Sequence, residues 1–166
     1  MKTKLLFFAA LIFGSLIFSS CDEDTGDLLA DLAQGKMVVV INDGEPIIME
    51  NCKWMNYGTN MKGEVFVEAH LNAQSTEPFV NIMYGSYSND VALTTRSYST
   101  AVAADKMTVF STYGNSDEGA TVIVEFVEIT ATTVKGRFNG KIKPDGSATV
   151  NVKGAFWCSK FEQGTH

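Results

Sequence analysis

Residues for acid–base chemistry are scarce in this chain of 166 residues, which contains only two histidines. His70 lies in the middle of the chain and is the only imidazole there that could activate a serine or cysteine nucleophile. No Gly-x-Ser-x-Gly elbow accompanies it, and one histidine cannot form a histidine-rich metal site. We therefore expect His70 to be an exposed strand residue and the protein not to be an enzyme.

Two groups of side-chain oxygens are candidate sites of hydrolysis or metal binding. Glu64 and Glu68 are the nearest carboxylates on one face of a strand, but four strand residues separate Cα atoms by about 13 Å. Glycosidases place their two carboxyl groups roughly 5 to 9.5 Å apart. The segment 115–119 is rich in oxygen ligands but lacks the spacing of an EF-hand loop. We expect a solvated strand face and a turn, with no metal and no cofactor.

Cys21 lies in the sequence context of a lipid-modified cysteine. Two lysines precede the uncharged apolar segment 5–18, which has the length of a secretory signal and is too short to span a membrane comfortably. The segment 18–21, Phe-Ser-Ser-Cys, resembles a lipobox, with Phe where an aliphatic residue is usual. We expect 1–20 to be a signal peptide and Cys21 to be the acylated mature N-terminus. The alternatives are an ordinary cleavage site or an uncleaved anchor.

An acidic run follows the cysteine at Asp22, Glu23 and Asp24. It resembles the surface-export signal of Bacteroidota lipoproteins, and the resemblance implies the outer membrane, facing the cell exterior. A solvated tether on the periplasmic side is the alternative. The net charge is −6 and becomes −8 when the two lysines of 1–20 are removed. This charge argues against nucleic acid as a partner.

Acylation of Cys21 would leave Cys52 and Cys158 as two cysteines in an oxidising compartment. Cys52 shares a strand face with Trp54, and Cys158 shares one with Phe156, so both can reach the core. We predict a disulfide between them, with two buried free thiols as the alternative.

Tyrosines form the remaining candidate site, because they lie in or beside stretches rich in Gly, Ser, Thr and Asn. An aromatic ring with a polar tip can stack on a sugar or contribute strongly to a protein contact. The candidate ligand residues are Tyr57, Tyr84, Tyr87, Tyr98 and Tyr113. The alternative is that these tyrosines pack at the ends of the domain.

The elements that would position these residues are almost all strands. Residues 27–33 predict at most two helical turns, which persist only if their leucines dock on the domain. We otherwise expect 21–36 to be an acidic tether. From residue 37 onward, apolar residues alternate with polar ones, and turn residues separate the segments. The predicted strands are 37–41, 65–71, 79–84, 91–98, 107–113, 119–130, 133–143 and 149–161.

The last three of these segments predict a C-terminal β-meander. Segment 119–130 is apolar on both faces, which is typical of a central strand, whereas 133–143 directs its basic residues to one side. We expect 37–166 to be one all-β domain, an antiparallel β-sandwich of about nine or ten strands. A closed or partly open β-barrel is the alternative.

The whole chain is similar to small Bacteroidota outer-surface lipoproteins of unknown function. The similarity rests on the lipobox, the acidic run, the start of an all-β body near 43–46 and the segment 134–143. It implies a location and a fold. We expect a membrane-anchored, non-enzymatic binding module for a glycan or a surface protein. The alternative is a structural envelope lipoprotein without a soluble ligand.

Overall fold

A computed structural model of the protein describes residues 23–58, 60–70, 78–85, 90–116 and 119–161. One short helix, one 3₁₀ turn (Ala103–Asp105) and ten strands are formed. The elements are α1 (Glu23–Ala30), β1 (Lys36–Ile41), β2 (Ile47–Asn56), β3 (Val65–His70), β4 (Phe79–Tyr84), β5 (Ser97–Ser99), β6 (Met107–Ser111), β7 (Gly114–Asn115), β8 (Val122–Ile129), β9 (Thr133–Ile142) and β10 (Val150–Lys160). The predicted signal peptide, 1–20, lies outside the described residues.

All ten strands belong to one sheet, in the order β5-β8-β9-β10-β1-β2-β3-β4-β6-β7. Neighbours in this order run antiparallel. The end of β10 extends past the start of β1 and there forms a short parallel pairing with β2. The sheet curls so that its inner face closes on itself, because Tyr84 of β4 contacts Tyr98 of β5 with ring centroids 5.2 Å apart. The all-β class is confirmed, and the architecture is the barrel-like alternative.

The inner face forms the main core, and strand alternation explains which residues it buries. Val65, Val67 and Ala69 of β3 are buried, while the residues between them are half-buried on the outer face. Phe156 lies over Gly136 on the neighbouring strand, where a Cβ would be 2.5 Å from its ring. Glycine thus provides the space that an inward-facing aromatic ring needs.

The C-terminal meander is confirmed. β10 pairs with β9 over ten residues, and β9 pairs with β8, so the three strands follow one another in space as in sequence. Val134, Phe138 and Ile142 face the core, as the alternation predicts, and the basic residues of β9 face outward.

Two details of the strand predictions are wrong. Segment 91–98 forms a strand only at its last two residues, which belong to β5, because Leu93 donates its N–H to the Met61 carbonyl and Thr94 donates to the Tyr98 hydroxyl. In β8, a bulge between Phe126 and Glu128 shifts the alternation, so Ile129 packs with the core. β8 also has only the short β5 beyond it, so it lies near the edge of the sheet.

The helix α1 is docked on the outer face of the sheet. Leu28 and Leu29 of α1, together with Leu32 just after it, pack against Val38 of β1 and against Ala155 and Trp157 of β10. The sequence predicted a stable helix only if its leucines dock on the domain, and this contact is that docking. The described part of the predicted tether is therefore attached to the domain.

Among the residues that the structure describes, no helix has both the length and the apolar character needed to cross a membrane.

Candidate functional site

The two cysteines of the domain lie together in the core. Cys52 of β2 and Cys158 of β10 are both fully buried, and their Cα atoms are 4.6 Å apart, which is disulfide-bonding distance. Asn51 takes a positive φ at a bulge in β2, which allows Met49 and Cys52 both to face inward. The predicted proximity of the cysteines is confirmed, and their burial prevents either thiol from serving a surface site.

Two of the predicted ligand tyrosines are core residues. Tyr84 is 3% exposed and Tyr98 is 1% exposed, and the two rings meet edge to face. Their hydroxyls are used internally, since Tyr84 donates to the Val91 carbonyl and Tyr98 to the Thr94 carbonyl. Neither side chain therefore contributes to a surface platform, and the alternative of packing tyrosines applies to both.

Arg96 covers the edge of this aromatic cluster. Its guanidinium lies 3.8 Å from the centre of the Tyr98 ring and 2.9 Å from Asp105 Oδ1. Burial works against the charge, but the hydrogen bond to Asp105 and the interactions with Tyr98 and Asp105 outweigh it and raise the pKa of Arg96. This arrangement holds the loop before β5 and has a structural role.

The two other predicted tyrosines that the structure describes, Tyr113 and Tyr57, have different surroundings. Tyr113 is half-buried against the core, and burial raises the pKa of its phenol. Tyr57 follows β2 and is 58% exposed, with its ring edge-on to Phe66 at a centroid distance of 5.5 Å. Tyr87 lies outside the described residues. Of the predicted tyrosines that the structure describes, Tyr57 is thus the most exposed.

Phe66 belongs to a row of large apolar side chains on the outer face of the sheet. Strand pairing places Met55 of β2 opposite Phe66 of β3, and Phe66 opposite Met83 of β4. A second row follows at Phe79 and Phe110, with ring centroids 6.3 Å apart. We call this surface the aromatic face. It comprises Met55, Tyr57, Phe66, Phe79, Met83 and Phe110.

A small polar cluster lies within the aromatic face. Glu68 Oε1 lies 2.8 Å from His70 Nε2. Glu68 Oε2 accepts a hydrogen bond of 3.0 Å from Asn81 Nδ2. Asn81 is buried, and its Oδ1 has no hydrogen-bond partner in the described structure. Cys52 and Cys158, the two cysteines within the described ranges, lie on the opposite side of the sheet from this cluster.

Sequence periodicity alone does not define the aromatic face. Phe66 stands between Val65 and Val67, and its outward position was readable from the alternation in 65–71. The row itself depends on the register of three strands, which sequence periodicity does not specify.

The other half of the sheet has a different outer face. We call it the helix-covered face, because α1 packs on it. Its charged side chains are mainly basic and point outward from β1, β9 and β10: Lys36, Lys135, Arg137, Lys141 and Lys153. Arg137 Nε is paired with Glu125 Oε2 at 2.7 Å, and Lys153 Nζ with Asp43 Oδ1 at 3.1 Å.

An open groove of about 500 Å³ runs across the helix-covered face. Its polar residues are Asp43, Thr121, Asn139, Lys141, Asn151 and Lys153, and Val40 and Ile123 are among its apolar residues.

A second cavity, of about 510 Å³, lies near the ends of β2 and β8 and is lined in part by Trp54, Asn56, Asn60 and Lys160. The Asn56 amide is already committed, since it donates to the carbonyls of Lys62 and Glu64 and accepts from the N–H of Met61. Asn56 therefore shapes the 57–64 loop, and this cavity is a weaker candidate site than the aromatic face.

Cys21 and Asp22 lie outside the described residues, whereas Glu23 and Asp24 form the start of α1. In the described ranges, no group of three or more His, Cys, Asp or Glu side chains could hold a metal ion.

The chain matches no protein-family model, no curated protein and no solved structure.

Proposed function

We propose that the protein is a non-enzymatic binding module that an acylated Cys21 anchors in the outer membrane, facing the cell exterior. Its partner is a surface protein, and the binding surface is the aromatic face. The proposal combines the N-terminal sequence signals, which concern location, with the geometry of the sheet, which concerns binding.

The observation that carries the binding proposal is the contact between exposed Tyr57 and half-buried Phe66, flanked by Met55 and Met83. Tyrosine, phenylalanine and methionine are enriched at the centres of protein interfaces. Methionine also adapts its shape to a partner surface. Because the face is formed by paired strands, it presents these side chains on a rigid support. These properties favour a protein partner.

A glycan is the other partner class, and the exposed ring of Tyr57 favours it, because such a ring can stack on a sugar. Stacking would depend on Tyr57 far more than on the two methionines. The two partner classes therefore differ in which substitutions abolish binding.

The binding test is capture of envelope proteins from solubilised membranes on the immobilised protein. We expect Tyr57→Ala with Phe66→Ala to reduce capture of a specific partner by at least about tenfold, since central interface aromatics commonly contribute 2 kcal/mol or more. The matched control is Ile48→Ala with Val127→Ala. These two residues are exposed and apolar but lie outside the aromatic face.

Three results would contradict the proposal for a protein partner. Equal capture by the aromatic-face variant and the wild type would exclude this surface. Binding on a glycan array that is lost with Tyr57→Ala but kept with Met83→Ala would assign the partner to the glycan class. Absence of both signals would favour a structural envelope lipoprotein.

The anchoring part of the proposal has its own test. Cys21→Ser should give an unprocessed precursor that takes up no labelled fatty acid, and equal labelling of variant and wild type would exclude acylation at Cys21. Replacing Asp22, Glu23 and Asp24 with Ala should remove the protein from the cell exterior, as measured by protection from added protease.

A further inference from the structure

We propose that the helix-covered face lies against the membrane surface and that its groove receives the phosphate of a lipid headgroup. This inference rests on the acylation of Cys21 in the proposed function. It adds an orientation and a second binding surface, with a lipid as the ligand.

The first step is the length of chain between the anchor and the domain. α1 begins at Glu23, two residues after Cys21. Two residues span at most about 7 Å even when fully extended. The acyl chains would therefore be attached close to the first turn of α1.

The second step is the docking of α1. Leu28, Leu29 and Leu32 hold the helix and the turn after it on Val38, Ala155 and Trp157. The chain then enters β1 through Gly35, whose N–H donates to the Trp157 carbonyl at 2.6 Å. A free segment of about 14 residues could have held the domain up to roughly 45 Å from the membrane. The docked segment provides no such spacer, so the face that holds it is brought to the membrane.

The third step is the chemistry of that face. Lys141 and Lys153 line the groove together with the amides of Asn139 and Asn151, and Asp43 lines it beside Lys153, with which it pairs at 3.1 Å. Ammonium and amide N–H groups are donors suited to phosphate oxygens. Val40 and Ile123 add apolar surface beside them, which suits the glycerol region of a phospholipid.

The curl of the sheet determines where the aromatic face points when the helix-covered face lies on the membrane. The outer faces of the two halves point in different directions, so a membrane against the helix-covered face leaves the aromatic face directed away from it. The anchor would thus present the partner-binding surface to the surroundings of the cell.

The test is lysine footprinting of the full acylated protein, reconstituted on phosphatidylcholine–phosphatidylglycerol vesicles and treated with a membrane-impermeant amine reagent. Lys141 and Lys62 are both exposed, but Lys62 lies outside the helix-covered face. We expect Lys141 and Lys153 to react at least about fivefold more slowly on vesicles than in dodecyl maltoside, and Lys62 to change less than about twofold.

The matched variant is Leu28→Ser with Leu32→Ser, which releases α1 and keeps Cys21 and the main core. On vesicles, this variant should lose most of the protection of Lys141 and Lys153, while in detergent it should match the wild type. Circular dichroism confirms that its strand content is unchanged. Equal protection in variant and wild type would overturn the docking argument, and equal reactivity of Lys141 and Lys62 in the wild type would overturn the orientation.

Two further measurements separate the parts of the proposal. Vesicles of galactolipid, which contain no phosphate, should give weaker protection, and undiminished protection there would overturn the phosphate assignment. Inorganic phosphate added to the protein in detergent should not protect Lys141, and full protection would assign the groove to free phosphate. A wild-type protein that does not float with vesicles would overturn the anchoring itself, whereas a floating protein with unprotected lysines overturns only the orientation.

Discussion

The two halves of the sheet share one core but differ on their outer faces. In β1, β8, β9 and β10, the outward apolar residues Val38 and Ala155 are buried beneath α1, and most of the other outward residues are polar or basic. In β2, β3, β4 and β6, the outward residues include Phe66, Met83 and Phe110, which are half-buried, and no described helix lies on them. The helix α1 thus covers part of the outer face of one half of the sheet.

This difference shows why alternation alone does not identify a binding surface. Phe66 and Val38 are both apolar residues at outward positions of strands. Val38 contributes to stability because the leucines after Cys21 return to cover it. Phe66 contacts exposed Tyr57 instead, so its surface remains available to a partner. In the proposed function, the same residue chemistry serves packing in one half and recognition in the other.

The largest expected effect comes from the cysteine pair, because Cys52 belongs to one half and Cys158 to the other. The pair closes a loop with a sequence separation of 106 residues. Reduction should lower the free energy of unfolding by about 4 kcal/mol in the chain-entropy model, without changing strand content. Thermal unfolding with and without reductant measures the effect. Thiol titration of the unreduced, denatured domain 37–166, which lacks Cys21, is the control, and two free thiols per chain would exclude the bond.

A smaller effect is expected on the helix-covered half. Leu32→Ser should lower the free energy of unfolding by about 2 kcal/mol, because it removes a buried leucine from the small cluster beneath α1. Hydrogen exchange should accelerate in 23–35 but not in β3 or β4. Leu32→Met is the control, since it conserves volume and should preserve protection. Unchanged exchange in the serine variant would show that the helix is held by something other than its leucines.

Substitution on the aromatic half should affect stability less than binding. Phe66→Ala should cost about 1 kcal/mol of unfolding free energy, because the side chain is half-exposed and leaves no closed cavity. Chemical denaturation provides the measurement, with Phe138→Ala on the inner face as the reference at about 3 to 5 kcal/mol. Equal losses in the two variants would mean that Phe66 is a core residue and would remove the contrast between the halves.

The smallest effect is expected at the boundary between the halves, where Lys36 Nζ of β1 lies 2.7 Å from Glu50 Oε1 of β2. Both side chains are more than a third exposed, so water and salt screen the pair. Lys36→Gln should change stability by at most about 0.5 kcal/mol, with a smaller change at high salt. A double-mutant cycle with Glu50→Gln measures the coupling, and a value several times larger would show that this pair helps to join the halves.

The sequence by itself determined the elements that depend on neighbours along the chain. The alternation in 133–143 predicted which side chains of β9 face the core, and short turns predicted the meander. Alternation also predicts that Cys52 and Cys158 reach the core, because each shares a strand face with an aromatic residue. These features follow from the period-two geometry of a strand and from turn chemistry, both of which are local.

Tertiary structure alone decided what depends on strand order and on distant contacts. β1 lies between β10 and β2, and the sheet curls until Tyr84 meets Tyr98, which buries two tyrosines that local composition had suggested for a surface. The docking of α1 likewise depends on Ala155 and Trp157, which lie more than 100 residues further along the chain. Met55, Phe66 and Met83 become one surface only through strand register, because residues from three strands contribute to a single row.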